Sequence, residues 1–276
     1  MIKLIATDMD GTLLNNNHEM PANTFAIIDQ LHARGITFAV ASGRGHHSIL
    51  KLYDQIKDDI VMITNNGAII IDHGEIIFSN PLDRDIAREI VDAVTAMPNL
   101  HLMIKSLKCS YFFGTEVIGR IPADVLNDHF PLHQIVDSFD EIPLAEEILQ
   151  ITVADPAENA QVNAYDKLTQ FLPVAHLAIS GEPWLDIMAK GVNKGQAIAQ
   201  LQAILKADAV ETMVFGDQMN DYEMMEQAYY SYAMANAVAP IKAVANFAAP
   251  SNEDEGVTRI IENFLKMTEN THAWLF

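Results

Sequence analysis

Cysteine is almost missing from this chain of 276 residues: Cys109 is the only one, which excludes an intrachain disulfide framework. Basic residues are scarce as well, 17 Lys and Arg against 37 Asp and Glu, giving a formal charge of −20 and a sequence pI near 4.7. Nucleic acid and anionic membranes both require a clustered basic face. No Lys/Arg-rich stretch is present, so neither is expected as a partner. Apolar runs such as IVMI and AIII are strand-sized, well short of the roughly 18 to 20 residues of a membrane span. Met1 leads straight into IKLIATDMD without a signal-peptide pattern, and a reducing cytoplasm is the expected location. The ten histidines show no HxH or HExxH spacing, so zinc is not expected at His46 and His47 or elsewhere. Internal repeats and low-complexity linkers are also lacking.

What the chain does have is apolar residues, half of the total, enough for a substantial core. Strand and helix patterns alternate at the start: IKLIAT, ANTFAIIDQLHARG with its glycine stop, ITFAVAS, HHSILKLYDQI and DIVMIT. This βαβαβ order with continuously apolar strands predicts a doubly wound, mostly parallel sheet whose ligand crevice lies at the strand carboxyl ends. NGAIIIDHGEIIFSN then predicts a hairpin turning at DHGE. From about residue 83 the rhythm changes to a helix, DRDIAREIVDAVTAM, followed by HLMIKSL, SYFFGT, a loop-rich middle, EILQITVAD, a helix around NAQVNAYDKLTQFL, VAHLAIS and WLDIMA. Strict alternation returns after GVNKG with GQAIAQLQAILKA, TMVFGD, YEMMEQA, YSYAM and VTRIIENFLK. The expected fold is therefore α/β, with residues 1–82 and 187–276 forming the core and 83–186 an inserted α+β domain crossed twice by the chain.

The stretch IATDMDGTLL carries the first candidate chemistry. Side chains two apart in an extended segment point the same way, so Asp8 and Asp10 converge and repel unless a cation, a shared proton or solvent relieves them. A solvated Asp-Gly turn is the plain alternative. ASGRG offers the Ser42 hydroxyl and the Gly43 backbone to an anion where a helix begins, or else an ordinary strand-to-helix turn. Lys194 in GVNKG could be a surface charge, and Asp217, Asn220 and Asp221 in VFGDQMNDYEM could include a helix cap. Yet all of these groups fall at the carboxyl ends of strands of one inferred sheet. Asp8, Asp10 and Asp217 are hard oxygen ligands suited to Mg²⁺, while Ser42, Lys194 and Asn220 offer a hydroxyl, an ammonium and an amide to phosphate oxygens. The set reads as phosphoryl-transfer chemistry. A divalent cation would relieve the Asp8–Asp10 repulsion and keep Asp8 ionised as a nucleophile, and Asp10 would carry the proton.

DMDGTLL, SGR, GVNKG and GDQMND, in this order and spacing, resemble the four motifs of the haloacid dehalogenase superfamily of phosphatases. The insert is similar in position and size to the C2-type cap of its Cof-like branch, and NNGA, MANA and SNEDEGV agree, although Ala235 stands where glycine is commoner. The resemblance implies Asp8 as nucleophile and metal ligand, Asp10 as acid/base and ligand through its carbonyl, and Asp217 as the remaining protein ligand of Mg²⁺. It implies that Met9, through its backbone, and Ser42, Gly43, Lys194 and Asn220 hold the phosphate, with Asp221 behind them orienting Lys194 or a metal-bound water. Arg44 would face substrate or brace its loop. A small phosphorylated metabolite is the implied partner of a monomer or weak homo-oligomer. The function expected is Mg²⁺-dependent hydrolysis of small phosphomonoesters through an aspartyl phosphate. A phosphotransferase or phosphomutase using the same intermediate, and a non-enzymatic sensor of phosphorylated metabolites, are the alternatives.

Overall fold

The computed structural model describes residues 1–115, 126–127 and 129–272. The chain opens with β1 (Leu4–Thr7), β2 (Thr37–Ala41) and β3 (Val61–Thr64), in which nearly every side chain is buried, as a parallel sheet covered on both faces demands. β4 (Ile69–Asp72) and β5 (Glu75–Ser79) form the expected antiparallel hairpin. Its turn residues His73 and Gly74 both have positive φ, the backbone a tight two-residue hairpin turn requires.

The helix Arg84–Thr95 follows, capped by Asp83, whose side chain accepts from the amides of Asp85 and Ile86. It leads into β6 (His101–Lys105), β7 (Ser110–Phe113), β8 (His133–Val136), β9 (Gln150–Ala154), β10 (Ala175–Gly181) and β11 (Trp184–Ala189). After the helix Lys194–Leu205 come β12 (Thr212–Gly216), β13 (Tyr230–Met234) and β14 (Phe247–Ala249), and the helix Gly256–His272 follows. Among the described residues these strands make two sheets. The first has the order β14-β13-β12-β1-β2-β3-β4-β5, and the second β10-β11-β9-β6-β7-β8. β1 lies between β12 and β2, parallel to both, so the ends of β1, β2 and β12 open side by side.

The second sheet is mostly antiparallel and is drawn wholly from residues 101–189. Its strand β11 runs three residues past Asp186, its pairing with β10 continuing through Ile187 and Met188 to Ala189. Where the chain leaves the first sheet, Leu82 pairs with Ile148 in an antiparallel bridge, tying the outgoing crossing to the segment before β9.

Three details differ from expectation. The loop-rich middle contains β8, which pairs in parallel with β7, and the 3₁₀ turn Phe139–Glu141; residues 116–125 and 128 of that stretch lie outside the described residues. The helix expected around NAQVNAYDKLTQFL is a succession of π, α and 3₁₀ turns over residues 161–171. Ahead of it the Asp155 side chain accepts from the Ala157 and Asn159 amides and from the Asn163 side chain at 2.8 Å, anchoring the start of this segment. β14 and the helix Ala239–Val244 have patterns too short to be read from sequence. In MMEQAYYSYAM, Met224 and Met225 are core, whereas Tyr230 and Tyr232 stack on Phe247 near the sheet edge.

Gly195 shows how tightly the helix Lys194–Leu205 meets its neighbour: an added Cβ would lie 2.5 Å from the backbone carbonyl of Glu223. In an open helix Gly→Ala stabilises by roughly 0.5–1 kcal/mol. Here overlap with backbone reverses the sign, and Gly195→Ala should lose on the order of 1–3 kcal/mol in urea unfolding. A raised unfolding midpoint would show that the two helices part freely.

Candidate active site

Asp8 stands just past β1, its amide donating to the Phe215 carbonyl of β12 at 3.0 Å. The turn after it is closed by Thr12 and Leu14, both donating to the carbonyl of buried Met9. Gly11 at φ +77° lets this turn pass Asp217, because a Cβ there would come 2.6 Å from an Asp217 carboxylate oxygen. Thr12 then donates its hydroxyl to Asp217 Oδ1 at 2.7 Å. The spacing of DMDGT is thus what brings β1 and β12 chemistry together.

Lys194, at the start of its helix, is completely buried and donates to Asp8 Oδ1 and Asp221 Oδ1, each at 2.6 Å. Asp221 Oδ2 accepts from the amides of Asp217 and Gln218, so both its oxygens are engaged. Asp8, Asp217 and Asp221 can each present an oxygen within 4.8 Å of the others. Burial pushes Asp8 well above the ordinary carboxylate range although Lys194 pulls it down, and burial with the neighbouring Asp221 pushes Asp217 up to about 7. Burial by itself would lower Lys194, but its two aspartates outweigh that and raise it. Three crowded carboxylates facing one ammonium leave negative charge uncompensated. With three hydrogen bonds already on Asp221, Asp8 and Asp217 have the more open oxygens to offer, and this donor set fits a hard divalent cation.

Asp10 turns elsewhere. Arg44 Nε donates to Asp10 Oδ2 at 2.8 Å, Arg44 Nη2 to Oδ1, and His18 Nδ1 lies 3.1 Å from Oδ1. Burial would raise Asp10, but the bonds from His18 and Arg44 prevail and hold it far below its ordinary value. In this arrangement the bonds from Arg44 and His18 favour the carboxylate form of Asp10. Arg44 lines the cavity and also holds the side chain of Asp10, and its amide donates to Ser42 Oγ.

Ser42 follows β2, its amide bonded to Ile63. The Gly43 carbonyl accepts from Lys105 Nζ at 2.9 Å. Asn220 donates to Asn66 Oδ1 at 3.0 Å, and its own Oδ1 is buried without a partner among the described residues. A cavity of about 520 Å³ opens between the two sheets, lined on one side by Asp8, Asp10, Ser42, Gly43, Arg44 and Asn220. Lys194, Asp217, Asp221 and the Met9 side chain lie behind its wall. The opposite side comes from the insert, with Lys105, Thr152 and Asp186 among its residues.

Sequence reasoning missed several members. Asn66 has positive φ in a turn whose Gly67 packs against the Asn193 backbone of GVNKG, where a Cβ would sit 2.5 Å from the carbonyl oxygen. Asn66 Nδ2 reaches Asp186 Oδ2 at 3.0 Å, while Asp186 Oδ1 accepts from Gln150 and Thr152 at 2.7 Å each. Lys105 and Asp186 are charged residues inside apolar strands, a signal that was readable. His18 and His129, in edge contact at 5.3 Å, come from distant positions and carried none.

The haloacid dehalogenase-like hydrolase family matches residues 5–261. The chain belongs to that family. Among curated relatives, the 5-amino-6-(5-phospho-D-ribitylamino)uracil phosphatase YbjI of Escherichia coli K12 is 29% identical, over 96% of this chain and 97% of its own. The HMP-PP phosphatase of Citrobacter koseri is 31% identical over 86% of each chain. The crystal structure of SMU.1108c from Streptococcus mutans UA159 superposes with a TM-score of 0.87 at 32% identity, covering 96% of this chain and all of that one. The protein is thus an enzyme, a phosphatase of the haloacid dehalogenase type in its Cof-like branch. Among the described residues no helix is long and apolar enough to cross a membrane.

Removing the Lys194 charge would strand two buried carboxylates. Lys194→Met should cost on the order of 3–5 kcal/mol in urea unfolding. The cost should shrink when Asp8→Asn is already present, because one of those charges is then gone. An additive double variant would mean that Lys194 stabilises through packing alone.

Proposed function

We propose that the enzyme hydrolyses small phosphomonoesters with Mg²⁺ through a phosphoryl group carried on Asp8, acting on metabolites in the cytoplasm. The observation that carries this reading is the anchoring of Asp8: Lys194 fixes one oxygen of a buried carboxylate at the wall of the cavity and leaves the other without a competing donor among the described residues. The relatives named as phosphatases support the reaction class, and their differing substrates leave the leaving group open.

Asp8 and Asp217, with the Asp10 carbonyl, would hold Mg²⁺, which when bound neutralises phosphate charge and orients the phosphoryl group. The chain supplies the rest. Ser42, the Gly43 backbone, the Met9 backbone and the second N–H of Asn220 Nδ2 would donate to the phosphate oxygens. Lys194, held between Asp8 and Asp221, adds positive charge behind the nucleophile, and Asp221 keeps it there. Asp8 Oδ2 attacks phosphorus as the bond to the leaving oxygen breaks, and that oxygen takes a proton from Asp10. Asp10 then removes a proton from the water that attacks the phosphoryl group, freeing phosphate and restoring Asp8. For Asp10 to carry that proton its pairing with Arg44 must loosen, and a dianionic phosphate entering beside Arg44 provides a competing partner for the guanidinium. Residues 83–186 would act as a lid over the leaving group.

Asp8→Asn should reduce turnover of p-nitrophenyl phosphate by more than roughly a hundredfold while urea unfolding shows an intact fold. Asp10→Asn should lose less on substrates with good leaving groups than on alkyl phosphates, since the first step then needs no proton. Equal losses would remove Asp10 from that role. EDTA should abolish activity, Mg²⁺ restore it and Ca²⁺ inhibit, and Asp217→Ala should raise the Mg²⁺ requirement. Full activity in metal-free buffer would overturn the reading. Stoichiometric release of inorganic phosphate from one substrate separates hydrolysis from transfer to a second hydroxyl.

A further inference from the structure

Two imidazoles and a carboxylate converge at the cavity wall. Asp10, His18 and His129 each offer one ligand atom, and these atoms lie within 4.8 Å of one another. All three residues line the cavity, so an ion reaches them from its open space. His18 Nδ1 stands 3.1 Å from Asp10 Oδ1, close to the separation that two ligands of one tetrahedral ion have when each bond is roughly 2.0–2.1 Å. The His129 ring meets the His18 ring edge-on, with 5.3 Å between centroids. The ligands come from the turn after β1, the NNNHE loop and the insert. No HxH spacing therefore announces them, and the sequence expectation that zinc has no site was drawn from spacing alone.

The backbone fixes where His18 sits. Its φ of +61° is left-handed, uncommon for a residue with a Cβ, and the surrounding turn holds it there. The His18 amide donates to the Asn15 carbonyl at 2.9 Å, while Asn15 Oδ1 accepts from the amides of Asn17 and Glu19. Asn252 secures the same loop by donating to the Leu14 carbonyl and Asn16 Oδ1. Asp10 is oriented by Arg44, through Nε on Oδ2 and Nη2 on Oδ1. An ion on Oδ1 would replace the bonds from Arg44 Nη2 and His18 Nδ1 and leave the Nε bond in place, so Asp10 keeps its direction. The Arg44 charge opposes a cation here, and Asp10, with Asp8 and Asp186 on the same cavity, opposes that charge. Mg²⁺ selects oxygen ligands, whereas imidazole nitrogens suit zinc and similar transition metals. Three protein ligands leave a fourth position toward the cavity.

We propose that Asp10, His18 and His129 form a second cation site, separate from Asp8 and Asp217, which takes Zn²⁺ or a similar transition-metal ion and inhibits the enzyme when filled. The inhibitory role rests on the phosphatase reading above, in which Asp10 passes the proton: a carboxylate oxygen bound to Zn²⁺ is withdrawn from that exchange. His129 belongs to the insert and the other two ligands to the first-sheet domain. The ion would therefore also tie the lid down and hinder passage of substrate.

Calorimetric titration of the intact protein with Zn²⁺, at saturating Mg²⁺, should show one strong site per chain. His129→Ala and His18→Ala should each weaken it by about a hundredfold or more, since losing a ligand costs at least as much as losing an outer-shell partner. His46→Ala, at the other close histidine pair, should leave it unchanged. Co²⁺ bound in place of Zn²⁺ should give the strong visible absorption of a four-coordinate ion, and His129→Ala should abolish it. In p-nitrophenyl phosphate hydrolysis Zn²⁺ should inhibit in a way that further Mg²⁺ does not relieve. The inhibiting concentration should rise about a hundredfold in His129→Ala, measured against that variant's own rate without Zn²⁺. Absence of Zn²⁺ binding at saturating Mg²⁺, equal binding by wild type and His129→Ala, or loss of binding in His46→Ala would overturn the site. Inhibition that Mg²⁺ relieves would place the inhibiting ion at Asp8 and Asp217 and overturn the regulatory role. No turnover of p-nitrophenyl phosphate with Mg²⁺ would defeat the phosphatase reading and the inhibitory role with it, while the calorimetry still decides the site.

Discussion

The Lys194 ammonium lies between Asp8 and Asp221, 2.6 Å from each and wholly out of solvent. Taking three charges from water is costly, and the pairing is tolerated because the backbone shares the load: Asp221 accepts two further amide bonds at the start of its 3₁₀ turn. That arrangement fixes the relation of three separate chain segments. Asp8 is bound to the end of β1, Lys194 to the first turn of its helix, and Asp221 to the turn after β12. The close approach at Gly195 and the turn at Gly11 follow from bringing these segments within reach of one another. A fold stabilised by apolar burial alone would not need an uncompensated cluster of carboxylates at its centre.

The first sheet was legible because burial on both faces writes a continuous apolar run, and the βαβ order leaves few ways to connect such runs. The site residues of that sheet were legible for a related reason. They are polar residues set immediately after apolar runs, where the topology gathers strand ends, so Asp8, Ser42 and Asp217 could be grouped before any geometry was known. Arg44 was less legible. Its role depends on which way a long side chain turns, and it turns to Asp10, which sequence spacing cannot disclose.

The insert was harder to read because mixed pairing gives no fixed order. β8 pairs in parallel with β7, whereas β6 and β9 pair antiparallel across a separation of more than forty residues. Its charged residues on the cavity wall lie inside strands, with Lys105 in HLMIK and Asp186 in WLDIMA, so a pattern built on apolar content absorbs them. A charged residue within an otherwise buried strand is the signal that separates these positions from their neighbours, since an isolated buried charge is too costly to persist without a partner or a ligand.

The two parts of the site meet through Asn66. Its amide oxygen accepts from Asn220, which borders the proposed phosphate position, and its amide nitrogen donates to Asp186 on the insert. Asn66 occupies a left-handed backbone position inside a turn pressed against the GVNKG segment, so it has little freedom to follow one partner away from the other. Lys105 makes a second link by donating across to the Gly43 carbonyl. A rigid side chain shared by both halves couples them physically. Movement of Asp186 relative to β3 must break a bond to Asn66 or carry Asn66 with it, and the second course disturbs Asn220. The insert wall of the cavity and the strand-end residues of the first sheet therefore share one hydrogen-bonded path.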